Sequence, residues 1–326
     1  MKALVTGATG FIGSVLTREL IKQGHRVRAL ILPNEDTAGL EKLKVELHRG
    51  DLTRFESLHG VCDGIDTVFH LAGRVTDWGT RQQFYDAIYT ATENLLIEAV
   101  SRVERFVYIS SIAAMGLGRH LKGVKETEEP RKSGIPYNDA KADTEKLVRK
   151  FHATGKISCT IVRPANVTGP GSVWVRDIVD RMVSSPVPLI DQGLYSTSFV
   201  YVDNLAQGII LAGTKDIAKG KAYHLRDNWD VIWKDYISDL GSFVGKKPIG
   251  NVPFGLAWGL AQVLDAALTP LRIRPPLTRL AVSVMGRDND VDTSLARSEL
   301  GWETVVPYQE ALKTIGVWIE ENYRQR

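Results

Sequence analysis

Residues 4–13 read Leu4-Val5-Thr6-Gly7-Ala8-Thr9-Gly10-Phe11-Ile12-Gly13, a short apolar run that breaks into three glycines spaced three apart. A strand that must turn sharply and let an anion approach its backbone needs residues without a Cβ. Gly7 suits the tight turn and Gly10 the close approach, while Gly13 lets the next segment pack tightly on the strand. That segment, Phe11–Lys22, is apolar at Phe11, Ile12, Val15, Leu16, Leu20 and Ile21, which is helical spacing. Its N-terminus aims unpaired N–H groups and the positive end of the helix dipole at a pyrophosphate. With 29 glycines in the chain the triplet alone says little. The order strand, glycine turn, amphipathic helix and second strand (26–32) is what makes it a dinucleotide-binding turn.

The alternation continues outward. Residues 45–49, 67–71, 106–110 and 158–163 read as further strands, with helical patterns over 82–101 and 137–152. Short apolar strands separated by helices predict an α/β fold with a doubly wound parallel sheet covered on both faces. Ligands then bind at the carboxyl ends of the strands, where Gly7, Asp51, Ala72, Ser111 and Arg163 all fall. Beyond Pro164 the texture becomes rich in Pro, Gly and Ser as far as residue 198, and a strand–helix unit (199–212) and a short strand (222–225) follow. The expected division is a dinucleotide-binding domain over 1–164 with pieces returning from about 199–235, and a smaller, mostly C-terminal α/β substrate domain over 165–198 and 236–326.

Composition sets limits on partners. The 326 residues are 44% hydrophobic and 24% charged with a net charge of +3, ordinary for a globular protein. No basic run or aromatic-interleaved stripe speaks for nucleic acid. Cys62 and Cys159 make no disulfide framework and read as small buried residues in a reducing compartment. The first strand begins at Lys2, which leaves no room for a leader, so the expected location is cytoplasmic. Residues 252–271 form the most apolar stretch, but Asp265 lies within it and Pro253 and Pro270 bracket it. A transmembrane span is therefore not expected. A helix that covers an apolar substrate pocket or packs on the core is expected instead, with a membrane-surface contact as the alternative.

Tyr137 is followed four residues later by Lys141. Pro136 can open a helix at its first turn, and on that helix both side chains share one face. An ammonium beside the phenol favours phenolate and lowers a pKa that starts near 10. Tyr137 can then exchange a proton with a hydroxyl or carbonyl oxygen, and Lys141 can also hold a nicotinamide ribose. Ser111, where the 106–110 strand ends, can donate to the same oxygen as its charge changes. No residue is assigned to a metal.

Taken together, these pieces resemble the extended short-chain dehydrogenase/reductases, in the superfamily of NAD-dependent epimerases and dehydratases. The resemblance rests on 6–13 (TGATGFIG), Gly50-Asp51-Leu52, 70–73 (HLAG), 108–116 (YISSIAAMG), 137–141 (YNDAK), 163–171 (RPANVTGPG), 199–206 (FVYVDNLA) and 292–303 (DTSLARSELGWE). It implies a Rossmann sheet and NAD or NADP as cofactor. It also implies a catalytic set of Ser111, Tyr137 and Lys141. Cofactor contacts are implied for Gly7, Thr9, Gly10, Phe11, Ile12, Asp51, Leu52, Leu71, Ala72, Gly73, Tyr137, Lys141, Pro164 and Val167. A homodimer through the helices of 82–101 and 137–152 is implied as well.

Departures from the family pattern narrow the function. Where relatives carry an asparagine that supports the lysine, this chain has Ile88 or Tyr89. After the second strand neither the usual acid nor the usual arginine stands in place, leaving Glu35 or Asp36 for a ribose and Arg28 for a phosphate. The arginine with which nucleotide-sugar enzymes grip a diphosphate is replaced by Ser196-Thr197-Ser198, and only Arg287 could stand in for it. The pattern is closer to the 3β-hydroxysteroid dehydrogenase-like and dihydroflavonol reductase-like branches. It predicts an NAD(P)-dependent oxidoreductase that interconverts a secondary alcohol and a ketone on a hydrophobic or mixed small molecule. The alternatives are a nucleotide-sugar epimerase or dehydratase with tightly bound NAD, and a non-catalytic NAD(P)-binding module.

Overall fold

The computed structural model describes residues 1–323. Residues 324–326, which the expected substrate domain includes, lie outside the described residues. The first half alternates as expected: β1 (Lys2–Thr6), α1 (Phe11–Lys22), β2 (Arg26–Ile31), α2 (Ala38–Lys42), β3 (Glu46–Arg49), β4 (Thr67–His70), α3 (Arg81–Tyr85), α4 (Ala91–Ala99) and β5 (Arg105–Ile109). A short β6 (Leu121–Val124), the long α5 (Pro136–His152) and β7 (Ser158–Pro164) follow. With β11 (Ala222–Leu225) these strands build one seven-stranded sheet in the order β11-β7-β5-β4-β1-β2-β3, with every pairing parallel. The strand order reverses between β1 and β4, which opens a crevice at their carboxyl ends.

Both faces of the sheet are covered, and this is why its central strands β1, β4 and β5 are buried along nearly their whole length rather than alternating. Val5, Ala29, Phe69, Val107 and Val162 bury against Leu16 and Leu20 of α1 and Leu205 and Ile209 of α7 (Val202–Thr214). On the other face Leu4, Val68, Phe106 and Ile161 meet Leu95, Leu96 and Ala99 of α4 and Leu147 and Val148 of α5. The helix expected over 82–101 is not one continuous α-helix. A π-helical stretch, Asp86–Thr90, joins α3 to α4. Such wide turns inside α-helices are rare and cluster near functional sites.

The later part holds three small two-stranded parallel pairs. β8 (Asn166–Thr168) joins β10 (Phe199–Tyr201), β9 (Leu189–Ile190) joins β12 (Asn251–Val252), and β6 joins β13 (Asn289–Val291). The stretch 164–198, notable in sequence only for Pro, Gly and Ser, contains α6 (Val173–Ser184), capped by the Ser172 hydroxyl. With α8 (Trp233–Ser242) and α11 (Tyr308–Tyr323), α6 surrounds an aromatic-rich core of Phe199, Trp233 and Tyr236. α9 (Phe254–Leu268) and α10 (Arg279–Met285) make a thin outer layer held by a small separate cluster. Among the described residues no helix is long and apolar enough to cross a membrane.

The FVYVDNLA motif ties these parts together. The Asn204 amide donates to the Asp227 carboxylate at 2.9 Å and accepts from the Val305 and Val306 N–H groups, while the Trp302 indole donates to the Asn204 carbonyl. Asp227 is buried, which pushes its carboxyl up to about 6.

Candidate active site

The glycine turn is built as its spacing predicts. Gly7 has φ +69°, and a Cβ there would stand 3.0 Å from the Ala72 nitrogen. A Cβ on Gly10 would meet the Gly7 carbonyl at 3.2 Å, and one on Gly13 would clash with it at 1.9 Å. The Phe11 and Ile12 N–H groups thus open α1 directly over the crevice. A dinucleotide fits this geometry, because the backbone is bare where a pyrophosphate must touch it.

Neighbouring strand ends bring the other expected contacts alongside. His70 pairs in register with Thr6, so Leu71, Ala72 and Gly73 leave β4 beside the turn. Their path is fixed by a buried chain in which the Ala72 N–H donates to Thr6 Oγ1 (3.0 Å) and Thr6 Oγ1 bonds His70 Nδ1 (2.8 Å). His70 Nε2 in turn bonds Thr92 Oγ1 at 2.9 Å. Burial lowers His70 to about 3, so it is neutral and serves as a structural strut. Pro164 ends β7 buried against Leu225, and Val167 lies half-buried in β8. Gly169 on the same loop packs close to the Phe11 ring. Asp51 and Leu52 follow β3 at the far side of the crevice. The Asp51 carboxylate caps its own turn through the Thr53 N–H (2.9 Å), and Asn94 of α4 donates to the Leu52 carbonyl at 2.8 Å.

At the end of β2 the acid that reaches back is Glu35. Its carboxylate accepts from the Leu32 N–H at 2.8 Å and from the Thr9 hydroxyl, which places a negative charge beside the glycine turn. Asp36 instead caps the N–H of Ala38. Arg28 cannot serve a phosphate there. It is buried on Glu46 (2.6 Å) and on the carbonyls of Gly60, Val61 and Asp63, because its side chain points off β2 toward β3 rather than out of the strand end.

α5 positions the chemistry. Its N-terminal turn is locked by Asp139, whose carboxylate accepts from the Ser133 and Gly134 N–H groups and pairs with Arg81 at 2.8 Å. The Tyr137 ring packs edge-on to Phe84 with centroids 6.0 Å apart. Lys141, one turn deeper, donates to the Ile109 carbonyl at 2.7 Å and sits 4.9 Å over the Tyr108 ring. The two serines separate cleanly. Ser110 is buried and donates to Glu145 at 2.6 Å, whereas Ser111 caps the short turn after β5 by accepting from the Ala113 N–H at 3.1 Å. The Ser111 proton is left for a substrate oxygen or the phenol.

The electrostatics depart from expectation in one respect. Burial pushes Tyr137 up to about 12, opposed by a hydrogen bond with the Ser111 hydroxyl, while burial lowers Lys141 to about 7, opposed by Glu145. Shared helical spacing puts both residues on one face, but the ammonium turns to the strand carbonyl. Lys141 is therefore not among the groups that shift the phenol, and Tyr137 is protonated at neutral pH. A consequence for stability follows. The folded Lys141 titrates near 7 and the unfolded one near 10.5, so its buried-charge penalty is full below pH 7 and is relieved as pH rises from 7 to 10.5. The stability advantage of Lys141→Met over the parent is expected to shrink across that window, read by denaturant unfolding of dinucleotide-stripped protein. An advantage that does not change with pH contradicts this.

Sequence reading missed Glu145. It lies four residues after Lys141, on the same face, and forms a fully buried pair with Arg163 at 2.7 Å that extends to His224 at 3.2 Å. A carboxylate on the core-facing stripe of α5 was the available signal. At the place of the family's asparagine, Ile88 sits in the π-helical stretch, packed with Phe84 and Ala140 and facing Gly73, so no polar relay runs there.

A cleft of about 530 Å³ opens beside Tyr137 between Trp78, Phe84 and the α9 residues Gln262 and Ala266. The charged residues that line it are paired: Asp77 with Arg274 (3.1 Å), Arg81 with Asp139 (2.8 Å) and Asp265 with Arg279 (3.0 Å). Arg287 is taken up by Asp191 and by the face of Phe254, and Thr197 and Ser198 are buried.

A family model described as the NAD dependent epimerase/dehydratase family matches residues 3–225. The chain is 30% identical, over 97% of its length and 96% of the relative's, to the 4-hydroxy-2-methyl-3-oxo-4-farnesyl-3,4-dihydroquinoline-1-oxide ketoreductase of Stigmatella aurantiaca. It is 26% identical to the 2-alkyl-3-oxoalkanoate reductase of Stenotrophomonas maltophilia, over 97% of this chain and 98% of that one. The solved UDP-glucose 4-epimerase of Thermotoga maritima shares the fold, with a TM-score of 0.78 over 99% of both chains at 23% identity.

Proposed function

Because the chain belongs to the NAD dependent epimerase/dehydratase family, we propose that it is an NAD(P)-dependent oxidoreductase that reduces a ketone on a hydrophobic small molecule and reoxidises the alcohol. The observation that carries this reading is the protonated Tyr137 phenol at the edge of a cleft whose charges are all internally paired. A cleft whose cations are already engaged by carboxylates suits an apolar ketone better than a diphosphate. Both curated relatives are named as reductases of ketones that carry farnesyl or alkyl groups, which supports the same reading.

A dinucleotide held by these residues would supply the hydride. Tyr137 delivers the proton to the carbonyl oxygen, Ser111 donates to that oxygen, and Lys141 holds the ribose. Gly7, Gly10, Phe11 and Ile12 cradle the pyrophosphate, with Thr9, Leu71, Ala72, Gly73, Pro164 and Val167 along the cofactor and Asp51 and Leu52 at the adenine. Residues 1–164 with 199–235 act as the dinucleotide half, and 165–198 with 236–326 as the substrate half. Assay of NAD(P)H oxidation against medium-chain and polycyclic ketones tests the reading. Isomerised nucleotide sugar without cofactor exchange would overturn it.

Glu35 favours NAD. A carboxylate at the ribose accepts hydroxyl hydrogen bonds and repels a 2′-phosphate. Glu35→Ala is expected to lower the NAD/NADP preference in kcat/KM by about tenfold, the equivalent of one charged hydrogen bond. An unchanged ratio removes Glu35 from cofactor selection. We place the protein in the cytoplasm, in keeping with two buried cysteines that stay as free thiols. We also read it as a homodimer through the helices of 82–101 and 137–152, where Tyr85, Tyr89, Lys146 and Lys150 line a shallow groove.

A further inference from the structure

Helix α9 is apolar all round, yet one side of it is uncovered. Phe254, Ala257 and Ala261 are buried against Ile190 and Val282. On the opposite side Leu256 (67% exposed), Leu260 (51%) and Val263 (66%) form a stripe at helical spacing that runs on into Leu271 (67%) and Ile273 (51%). Scattered exposed apolar residues need no explanation, but a contiguous stripe beside a ligand cleft marks a contact.

The unpaired charge in the segments that flank it is of one sign. Lys246 and Lys247 precede the helix, and Arg272 and Arg274 follow it. Asp265 is the one acid between residues 240 and 276, and it is turned onto Arg279 at 3.0 Å. Arg274 is held by Asp77 and Asp177, whereas Lys246, Lys247 and Arg272 make no ion pair among the described residues. A second copy of the chain is a poor occupant. A twofold contact brings the unpaired cations of one patch against those of the other, and the carboxylates of Asp77, Asp177 and Asp265 are already engaged by Arg274 and Arg279.

We propose that the outer face of α9, continued through Ile273, docks on an anionic phospholipid surface, and that the cleft draws its lipophilic substrate across this contact. An apolar stripe set into the acyl boundary between basic flanks is the geometry of an interfacial helix. The same helix lends Gln262, Asp265 and Ala266 to the cleft wall, and Thr269 and Pro270 just after it continue that wall, so the lipid side and the Tyr137 side are separated by one helix. The delivery half rests on the ketone-reductase reading, while the docking half stands without it.

The test uses the full chain in flotation with phosphatidylcholine vesicles with and without phosphatidylglycerol. Flotation is expected with phosphatidylglycerol and is expected to weaken with salt. The triple variant Leu256→Glu, Leu260→Glu, Val263→Glu is expected to lower the partition coefficient at least about tenfold. Lys246→Glu with Lys247→Glu should remove the preference for anionic lipid, and circular dichroism should be unchanged in both variants. No flotation, or flotation that survives the triple variant, overturns the docking. A native dimer that the triple variant turns into monomer assigns the face to a second copy and also overturns it. For delivery, the triple variant should lose turnover of a ketone dissolved in vesicles and keep the parent rate on a water-soluble one. Equal rates on both overturn delivery alone, and no ketone turnover by the parent overturns the reductase reading without touching the docking.

Discussion

Replacing Tyr137 by Phe is expected to lower kcat for the proposed ketone reduction by roughly 10²–10⁴-fold, the range for loss of a positioned general acid, with dinucleotide affinity essentially unchanged. The ring is retained, so its packing against Phe84 and Ala140 and the course of α5 persist. Only the hydroxyl is lost. With the phenol pushed up to about 12, the parent enters the reaction protonated at neutral pH, and no other acid replaces it. Ser111 keeps its hydroxyl and Lys141 its bond to the Ile109 carbonyl, but an aliphatic hydroxyl is too weak an acid to give up the proton it shares and Lys141 is turned to the strand. Steady-state NAD(P)H oxidation and a fluorescence titration of dinucleotide binding separate the two effects. A normal kcat removes Tyr137 from the chemistry, and a parallel loss of dinucleotide binding makes its role structural.

The second large effect is on stability. Glu145→Gln leaves the Arg163 guanidinium without a counter-charge in a site from which water is fully excluded, and it leaves one acceptor oxygen where Arg163 and Ser110 had two. Breaking a buried pair from one side costs about 3–5 kcal/mol, which corresponds to a fall in Tm on the order of 10 °C for a chain of this size. Replacing both partners with Leu should recover much of the loss, because no charge is then left uncompensated. Thermal unfolding of the single and double variants is the measurement. A single variant as stable as the parent means that Glu145 does not compensate Arg163. Glu145 also raises the pKa of Lys141 against burial, so the surviving fraction of Glu145→Gln should hold Lys141 neutral at a lower pH than the parent does.

Much of this architecture is written in local pattern. The β1 strand, the glycine turn and α1 are legible because each glycine answers to a backbone contact too close for a Cβ. The central parallel strands are legible because burial on both faces makes them largely apolar. The π-helical stretch at Asp86–Thr90 is not, since its side chains satisfy an α pattern and only the backbone bonds differ. α6 escaped notice because Pro, Gly and Ser at both of its ends outweigh the apolar spacing of Val175, Ile178, Val179 and Met182 between them.

At the site, Tyr137 and Lys141 are visible from spacing, but which of Ser110 and Ser111 is free depends on Glu145, which lies on another element. The direction of the Tyr137 shift depends on how deeply the phenol and the ammonium are buried and on where the ammonium turns, neither of which spacing encodes. Glu35 could not be separated from Asp36 by sequence, because the choice is made by the chain folding back onto Thr9.

The most direct test of the central claim is to incubate the protein with cofactor deuterated at nicotinamide C4 and a hydrophobic ketone, and to locate the label by mass spectrometry. Deuterium at the carbinol carbon of the alcohol, in step with the cofactor oxidised, is the expected result. A nucleotide sugar isomerised with no net cofactor oxidation, alongside no labelled alcohol from any ketone tried, would contradict it.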